Sequence, residues 1–233
     1  MSGLEGLDRR LADGIGPNRD FLRQRRLIAP TVQMILRRGQ KSVQSEADYL
    51  SGKAHPSVFS AKEIDRSALV ALANGLEPGA VPPSVHLTVL GEDRAKSGAD
   101  FFAPPGMSET LFNTPGAIAR LFRTSGYWQR LVVSAERTVD PNGHPLRFRW
   151  VVLRGDADRI KIRPLDAKRT KVEIRMPWHE RQSGSGEGAL TSDRVDIGVF
   201  ADNGKTLSAP AFVTFLFPGD QKRSYDSNGR LKC

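Results

Sequence analysis

The side chains with the most chemical potential in this chain are few and scattered. His179 and Glu180 stand beside Trp178, so an imidazole, a carboxylate and an indole could face one sugar ring or one metal ion. Turn oxygens form a second group: Asp140 and Asn142 in one turn, Asp156 in another, Asp202 in a third. Carboxylate and amide oxygens on turns suit a hard cation, so calcium is the cofactor these four would hold. The alternative role for Asp140 and Asn142 is structural, each bonding its own backbone two residues on. His55, His86 and His144 show no ligand spacing and read as loop or surface residues.

Several chemistries find no motif. There is no Walker loop, no nucleophile elbow and no dinucleotide fingerprint running from a strand into a helix. Cys233 is the sole cysteine, which excludes an intrachain disulfide and any metal site built on several thiolates. The expectation is therefore a chain without catalytic residues of its own. No run approaches the roughly 20 apolar residues that cross a bilayer, so membrane insertion is not expected. The first ten residues lack the apolar core of a signal peptide.

A net charge of +9 invites a polyanion as partner. The excess is spread along the chain, with acids among the bases almost everywhere. The densest cluster is Arg23, Arg25, Arg26, Arg37, Arg38 and Lys41. No aromatic residue interleaves with these arginines, so they read as the solvated side of two helices and nucleic acid is not the expected partner.

Three segments must position these groups. Residues 1–80 read as a helical N-terminal segment. Asn18 or Asp20 caps a first helix, and Pro30 stands at the start of a second. Val32, Ile35 and Leu36 supply the apolar face of that second helix. Residues 42–60 read as a loop, and Ser60-Ala-Lys-Glu63 as a capping box for a helix over Ile64 to Leu76. Leu76–Pro83 is a Pro/Gly linker and the expected boundary. Residues 81–217 read as a β-sandwich, and 218–233 as a C-terminal tail.

Within the sandwich, strands are expected at Val85–Leu90, Leu131–Val133, Leu146–Val152, around Ile160 and Ile162, Lys171–Met176, Val195–Phe200 and Ala211–Phe217. Residues 91–110, which contain Phe101–Gly106, and Gln182–Gly188 read as loops. Thr114-Pro115 predicts a short inserted helix near 114–123, with threonine as cap and proline in its first position. Period-2 alternation turns Phe148 and Trp150 inward and Arg147 and Arg149 outward. The same alternation turns Lys161, Arg163, Lys171 and Arg175 outward. One cationic sheet face made of these six residues would bind an acidic glycan; otherwise they solubilise the strands and blunt the sheet edges.

Thr138-Val-Asp-Pro-Asn-Gly-His-Pro-Leu-Arg-Phe-Arg-Trp150 resembles the S-x-D-P-D-G-D-x-L-x-Y-x-W corner of polycystic-kidney-disease-type (PKD) and cadherin-like bacterial repeats. Val195-Asp-Ile-Gly-Val-Phe-Ala-Asp-Asn-Gly204 resembles their V-x-V-x-V-x-D-x-x-G strand and turn, and Ala209–Phe215 their closing strand. The resemblance covers about residues 81–217 and is a grammar of strands and turns. It implies an immunoglobulin-like β-sandwich, with Trp150, Phe148, Ile197 and Val199 in the core. Asn142 and His144 stand where those repeats carry acids, and Gly155-Asp156 replaces their G-D-G, which weakens the calcium reading. Ala54-His-Pro56 and Tyr225–Arg230 resemble segments of large proteins from environmental bacteria, which implies that the chain is part of a longer polypeptide.

The expected function is that of a noncatalytic immunoglobulin-like module in a larger bacterial secreted or surface protein. It would act as a spacer, or as an adhesion or glycan-binding accessory, with neighbouring domains and a cell-surface glycan or protein as partners. The alternatives are an accessory domain of a hydrolase whose catalytic residues lie elsewhere, and a basic nucleic-acid-binding protein using the arginines of residues 23–38.

Overall fold

The computed structural model describes residues 18–100, 109–180 and 193–232. Phe101–Gly106 of the expected loop 91–110, the expected loop at Gln182–Gly188, and Cys233 lie outside the described residues. The chain is mostly β, with few helices. Among the described residues the α-helices are α1 (Arg19–Gln24), α2 (Ile28–Arg38), α3 (Glu46–Tyr49) and α4 (Arg66–Asn74). The strands are β1 (Thr88–Glu92), β2 (Thr110–Thr114), β3 (Ala117–Leu121), β4 (Trp128–Ser134), β5 (Arg147–Arg154), β6 (Lys161–Pro164), β7 (Lys171–Pro177), β8 (Arg194–Asp202) and β9 (Ala211–Leu216). No helix among the described residues is long and apolar enough to cross a membrane.

The residues divide into two compact units. The first joins the described residues through Val85 to Thr138–Val151 and Val199–Pro210. The second holds the described residues of His86–Arg137, Val152–Gly198 and the segment from Ala211 onward. The N-terminal helices therefore share a unit with two segments of the β half.

In the first unit α2 carries Pro30 in its opening turn, where a missing N–H costs nothing, and Arg37 and Arg38 in its last. Its buried residues are Thr31, Met34 and Ile35, one position round from the expected face. Gly39 follows, and a Cβ there would lie 2.1 Å from Leu69 Cδ2, so glycine is what lets α2 end against α4. The capping box expected at Ser60–Glu63 does not form. Asp65 caps α4 instead, its Oδ1 accepting from the amides of Ser67 and Ala68, because it stands directly before the first helical residue. The expected loop 42–60 contains α3, whose Tyr49 is fully buried. The Tyr49 hydroxyl donates to the Ser208 carbonyl at 2.9 Å, and its ring meets Phe200 edge-on. This bond and ring contact pin the helices to the 199–210 segment.

The second unit contains a four-stranded sheet in the order β1-β4-β7-β6. The other sheet has the order β2-β3-β9-β8-β5, and β5 and β8 supply residues to both units. The β3–β9 pair is parallel, with Ala117 opposite Phe212. The helix expected near 114–123 is a β-hairpin instead. Thr114 Oγ1 accepts from the Ala117 amide and donates to its carbonyl, which closes Pro115–Gly116 as a turn. Proline's fixed φ serves the second position of a turn as well as the first turn of a helix, and pairing with β9 selects the turn. β1 begins at Thr88, three residues later than expected, with a bulge between Val89 and Gly91. Inner residues of both sheets, including Leu131, Val133, Ile174, Ile197, Val213 and Phe215, are buried. Trp150, expected in the core, is only half-buried, whereas Phe148 and Val199 are buried.

Candidate functional site

The turn oxygens belong to an internal network. Asp140 Oδ2 accepts from the Asn142 amide, the His144 amide and His144 Nδ1, at 2.9–3.0 Å. Its Oδ1 accepts from Asn203 Nδ2 at 2.9 Å. Burial alone would raise the Asp140 pKa; the bonds from Asn203 and the two amides outweigh it and hold the carboxyl below its usual range. Asn142 turns its amide nitrogen to the Pro78 carbonyl. Asp202 caps its own turn at Gly204 and pairs with Arg149. Asp156, in the second unit, caps the amide of Asp158. Among the described residues no group of three His, Cys, Asp or Glu side chains is placed to hold a metal ion. Of the four expected calcium ligands, Asp140, Asp156 and Asp202 each bond the backbone of their own turn, and the acceptor capacity of Asp140 is spent on protein donors.

Trp178 and His179 are buried, at 3% exposure each, so neither is offered to a sugar as expected. Both follow β7 and pack into an aromatic cluster with Phe122 and Phe217. His179 Nδ1 bonds the Pro177 carbonyl at 2.9 Å, and burial pushes the imidazole pKa down. The Arg223 guanidinium covers the Trp178 ring at 4.0 Å.

The six expected outward cations do not share one face. Arg147 and Arg149 stand on β5, in the first unit, where Arg149 pairs with Glu46 at 3.0 Å. Lys171 is held by Glu136 at 2.8 Å. Lys161, Arg163 and Arg175 do come together, on the outer side of the four-stranded sheet. Two residues missing from the expected set join them, Arg130 and Trp128 of β4. Arg130 and Lys161 each stand directly opposite Arg175, so three cations form one row across β4, β7 and β6. Glu173, in the adjacent row, accepts from Arg130 Nε at 2.7 Å, Arg175 Nε at 3.2 Å and Arg163 at 3.3 Å. Three arginines thus surround one carboxylate and draw the Glu173 pKa down, Arg130 foremost. Trp128 is exposed beside the row, two residues before Arg130 and opposite Pro177, with Lys161 Nζ 5.0 Å above its ring. The signal for Trp128 and Arg130 is their alternation with the buried Gln129 and Leu131, which starts three residues before the strand start expected at Leu131.

No protein-family model matches this chain, and no curated protein is similar to it. Among solved structures it is similar to a nucleoside hydrolase-related hypothetical protein from Saccharophagus degradans, one associated with carbohydrate metabolism. The two are 12% identical with a TM-score of 0.31; the match covers 77% of this chain and 40% of the other. The chain thus spans well under half the length of that protein.

The densest arginine cluster proves to be partly internal. Arg38 lies 4.0 Å over the Tyr49 ring, Arg37 5.3 Å over Phe59, and Arg25 4.0 Å over Phe21. Aromatic residues do accompany these arginines, but they are distant in sequence or belong to the same helix turn. Burial lowers the Arg37 pKa, and its guanidinium bonds His55 Nδ1 at 3.1 Å. The outer face of the four-stranded sheet is therefore the better candidate for a ligand.

Proposed function

We propose that this chain is a noncatalytic module of immunoglobulin-like topology that binds an acidic glycan on the outer face of its four-stranded sheet. Strand order supports the topology. With β1, β4, β5, β6, β7, β8 and β9 lettered A to G in chain order, the two sheets run A-B-E-D and G-F-C, the orders of constant-type immunoglobulin sandwiches. The β2–β3 hairpin is then an addition between A and B, laid parallel along G.

The observation that carries the binding role is the row Arg130–Arg175–Lys161 with the exposed Trp128 beside it. Like charges directly opposite across strands destabilise a sheet, and a single carboxylate, Glu173, offsets them in part. A uronic acid chain would add carboxylates to that row while one sugar ring lies on the indole. The resemblance to bacterial surface repeats supports a place in a larger secreted or surface protein.

The test is retention of the full chain on immobilised polygalacturonate and on a neutral glucan, across a salt series. The expected result is salt-sensitive retention on the acidic polymer alone, lost in Trp128→Ala and in Lys161→Glu/Arg175→Glu. Equal retention on the neutral polymer or on DNA, or retention indifferent to these changes, removes the reading.

A further inference from the structure

The second unit contains a different concavity. The segment after β9 returns toward the turn after β3, and an open cleft of about 800 Å³ lies there. Four cations line it, Arg123, Lys222, Arg223 and Lys232, against two acids, Asp100 and Asp220. A volume of that order suits a ligand larger than a bare inorganic anion.

The lining groups have distinct roles. Asp100 builds the wall: Oδ1 accepts from the Ser125 amide and hydroxyl, and Oδ2 from the Lys96 amide. Its acceptor capacity is thereby committed to the fold. Arg223 is a fixed plane. It lies 4.0 Å over Trp178 and donates to the Thr124 carbonyl at 2.6 Å and to Gln221 Oε1 at 2.6 and 3.0 Å. Lys222 and Lys232 are exposed and make no ion pair among the described residues. Ser125, Gln221 and Ser224 add hydrogen-bonding groups, and the exposed side chain of Leu231 adds an apolar patch.

Two exposed ammonium groups beside a fixed guanidinium recognise a compact multivalent oxyanion, since lysine serves it as a point charge. The hydroxyl and amide groups with one apolar side chain match a polyhydroxylated ring. We propose that this cleft binds a monosaccharide-sized phosphate or sulfate ester. The site is separate from the sheet face and stands whether or not that face binds a glycan.

Calorimetric titration of the full chain with a hexose 6-phosphate, a hexose 6-sulfate, the neutral hexose and inorganic phosphate tests this, the two ester arms separating the sources of the anion. At least one ester should bind roughly tenfold or more tighter than both the neutral hexose and inorganic phosphate. Lys222→Glu/Lys232→Glu should weaken that ester by about fivefold or more at unchanged melting temperature, because both lysines are exposed. Lys161→Glu on the sheet face should leave it unchanged. The proposal is overturned if neither ester saturates, if inorganic phosphate matches them, or if the double variant loses less than about fivefold.

Discussion

Arg120 and Glu92 form a nearly buried ion pair, Nε to Oε2 at 2.6 Å, that joins β3 of one sheet to β1 of the other. The guanidinium also donates to the Phe112 and Ala119 carbonyls and to Asn113 Oδ1, so its donors are almost fully matched. Burying such a pair gains little over an apolar substitute, but removing one partner leaves the other charge stranded. Glu92→Ala should therefore cost about 3–5 kcal/mol, and Glu92→Ala/Arg120→Met clearly less than the sum of the single changes. Urea unfolding of the four proteins in the cycle measures both. A cost for Glu92→Ala below about 1 kcal/mol would show the pair to be solvated.

The Asp140 corner leads to a second prediction. Its carboxylate receives four protein donors, and Asp140→Ala would leave the Asn203 and His144 groups without their acceptor. The expected loss is about 2–4 kcal/mol, whereas Asn142→Ala, whose side chain makes one exposed bond, should cost under about 1 kcal/mol. Calcium at millimolar concentration should leave the wild-type melting temperature unchanged, because the oxygens it would need are already bonded. A calcium-dependent rise in melting temperature, absent in Asp140→Ala, would contradict this.

What could be read from the residues depended on whether one period decided the outcome. The strand at Lys171–Met176 alternates cleanly, those at Val195–Phe200 and Ala211–Phe217 are short, largely apolar runs, and each is present close to its expected bounds. Thr114-Pro115-Gly116 did not discriminate, since a capped helix start and a hairpin turn use the same residues; pairing with β9, nearly a hundred positions away, made the choice. The binding face was half visible. Lys161, Arg163 and Arg175 follow from alternation, but their union with Arg130 and Trp128 depends on the register of β4 against β7. Alternation alone puts Arg147 and Arg149 with them, because it reports a face and never which sheet the face belongs to. Trp178 and His179 depart from expectation for a related reason: adjacent residues past a strand end lose the alternation, and both turn into the aromatic cluster.

Gly155 supplies a third prediction. It ends β5 at φ +105°, a region that L side chains rarely adopt, and a Cβ there would lie 2.8 Å from Val195 Cγ2. Val195 is buried, so it has little room to yield. Gly155→Ala should cost about 1–3 kcal/mol from backbone strain, with the clash in addition. Gly155→Ala/Val195→Ala should recover none of the strain, so it should remain less stable than Val195→Ala alone by at least about 1 kcal/mol in denaturant titration. Equal stability of those two proteins would place the whole cost in the clash.

His55 makes the acid limb of stability predictable. It is buried between Tyr49 and Phe200, its Nδ1 accepts from Arg37, and its Nε2 donates to the Tyr49 carbonyl at 2.7 Å. Arginine can only donate, so Nδ1 must be unprotonated and the ring neutral. Burial first, and the Arg37 charge with it, push the pKa down to about 4 from 6.5, against the opposing Tyr49 bond. Between those two values the unfolded chain binds the proton that the folded chain refuses. The stability contributed by neutral His55 is therefore complete above pH 6.5 and is lost as pH falls toward 4, by about 3 kcal/mol in all. His55→Gln keeps one donor and one acceptor and cannot titrate in this range. Carboxylates titrate alike in both proteins, so the difference between their unfolding free energies at pH 7 and pH 4 isolates the imidazole. The wild type should lose about 3 kcal/mol more than His55→Gln over that interval, and parallel curves would mean that the buried ring accepts its proton without cost.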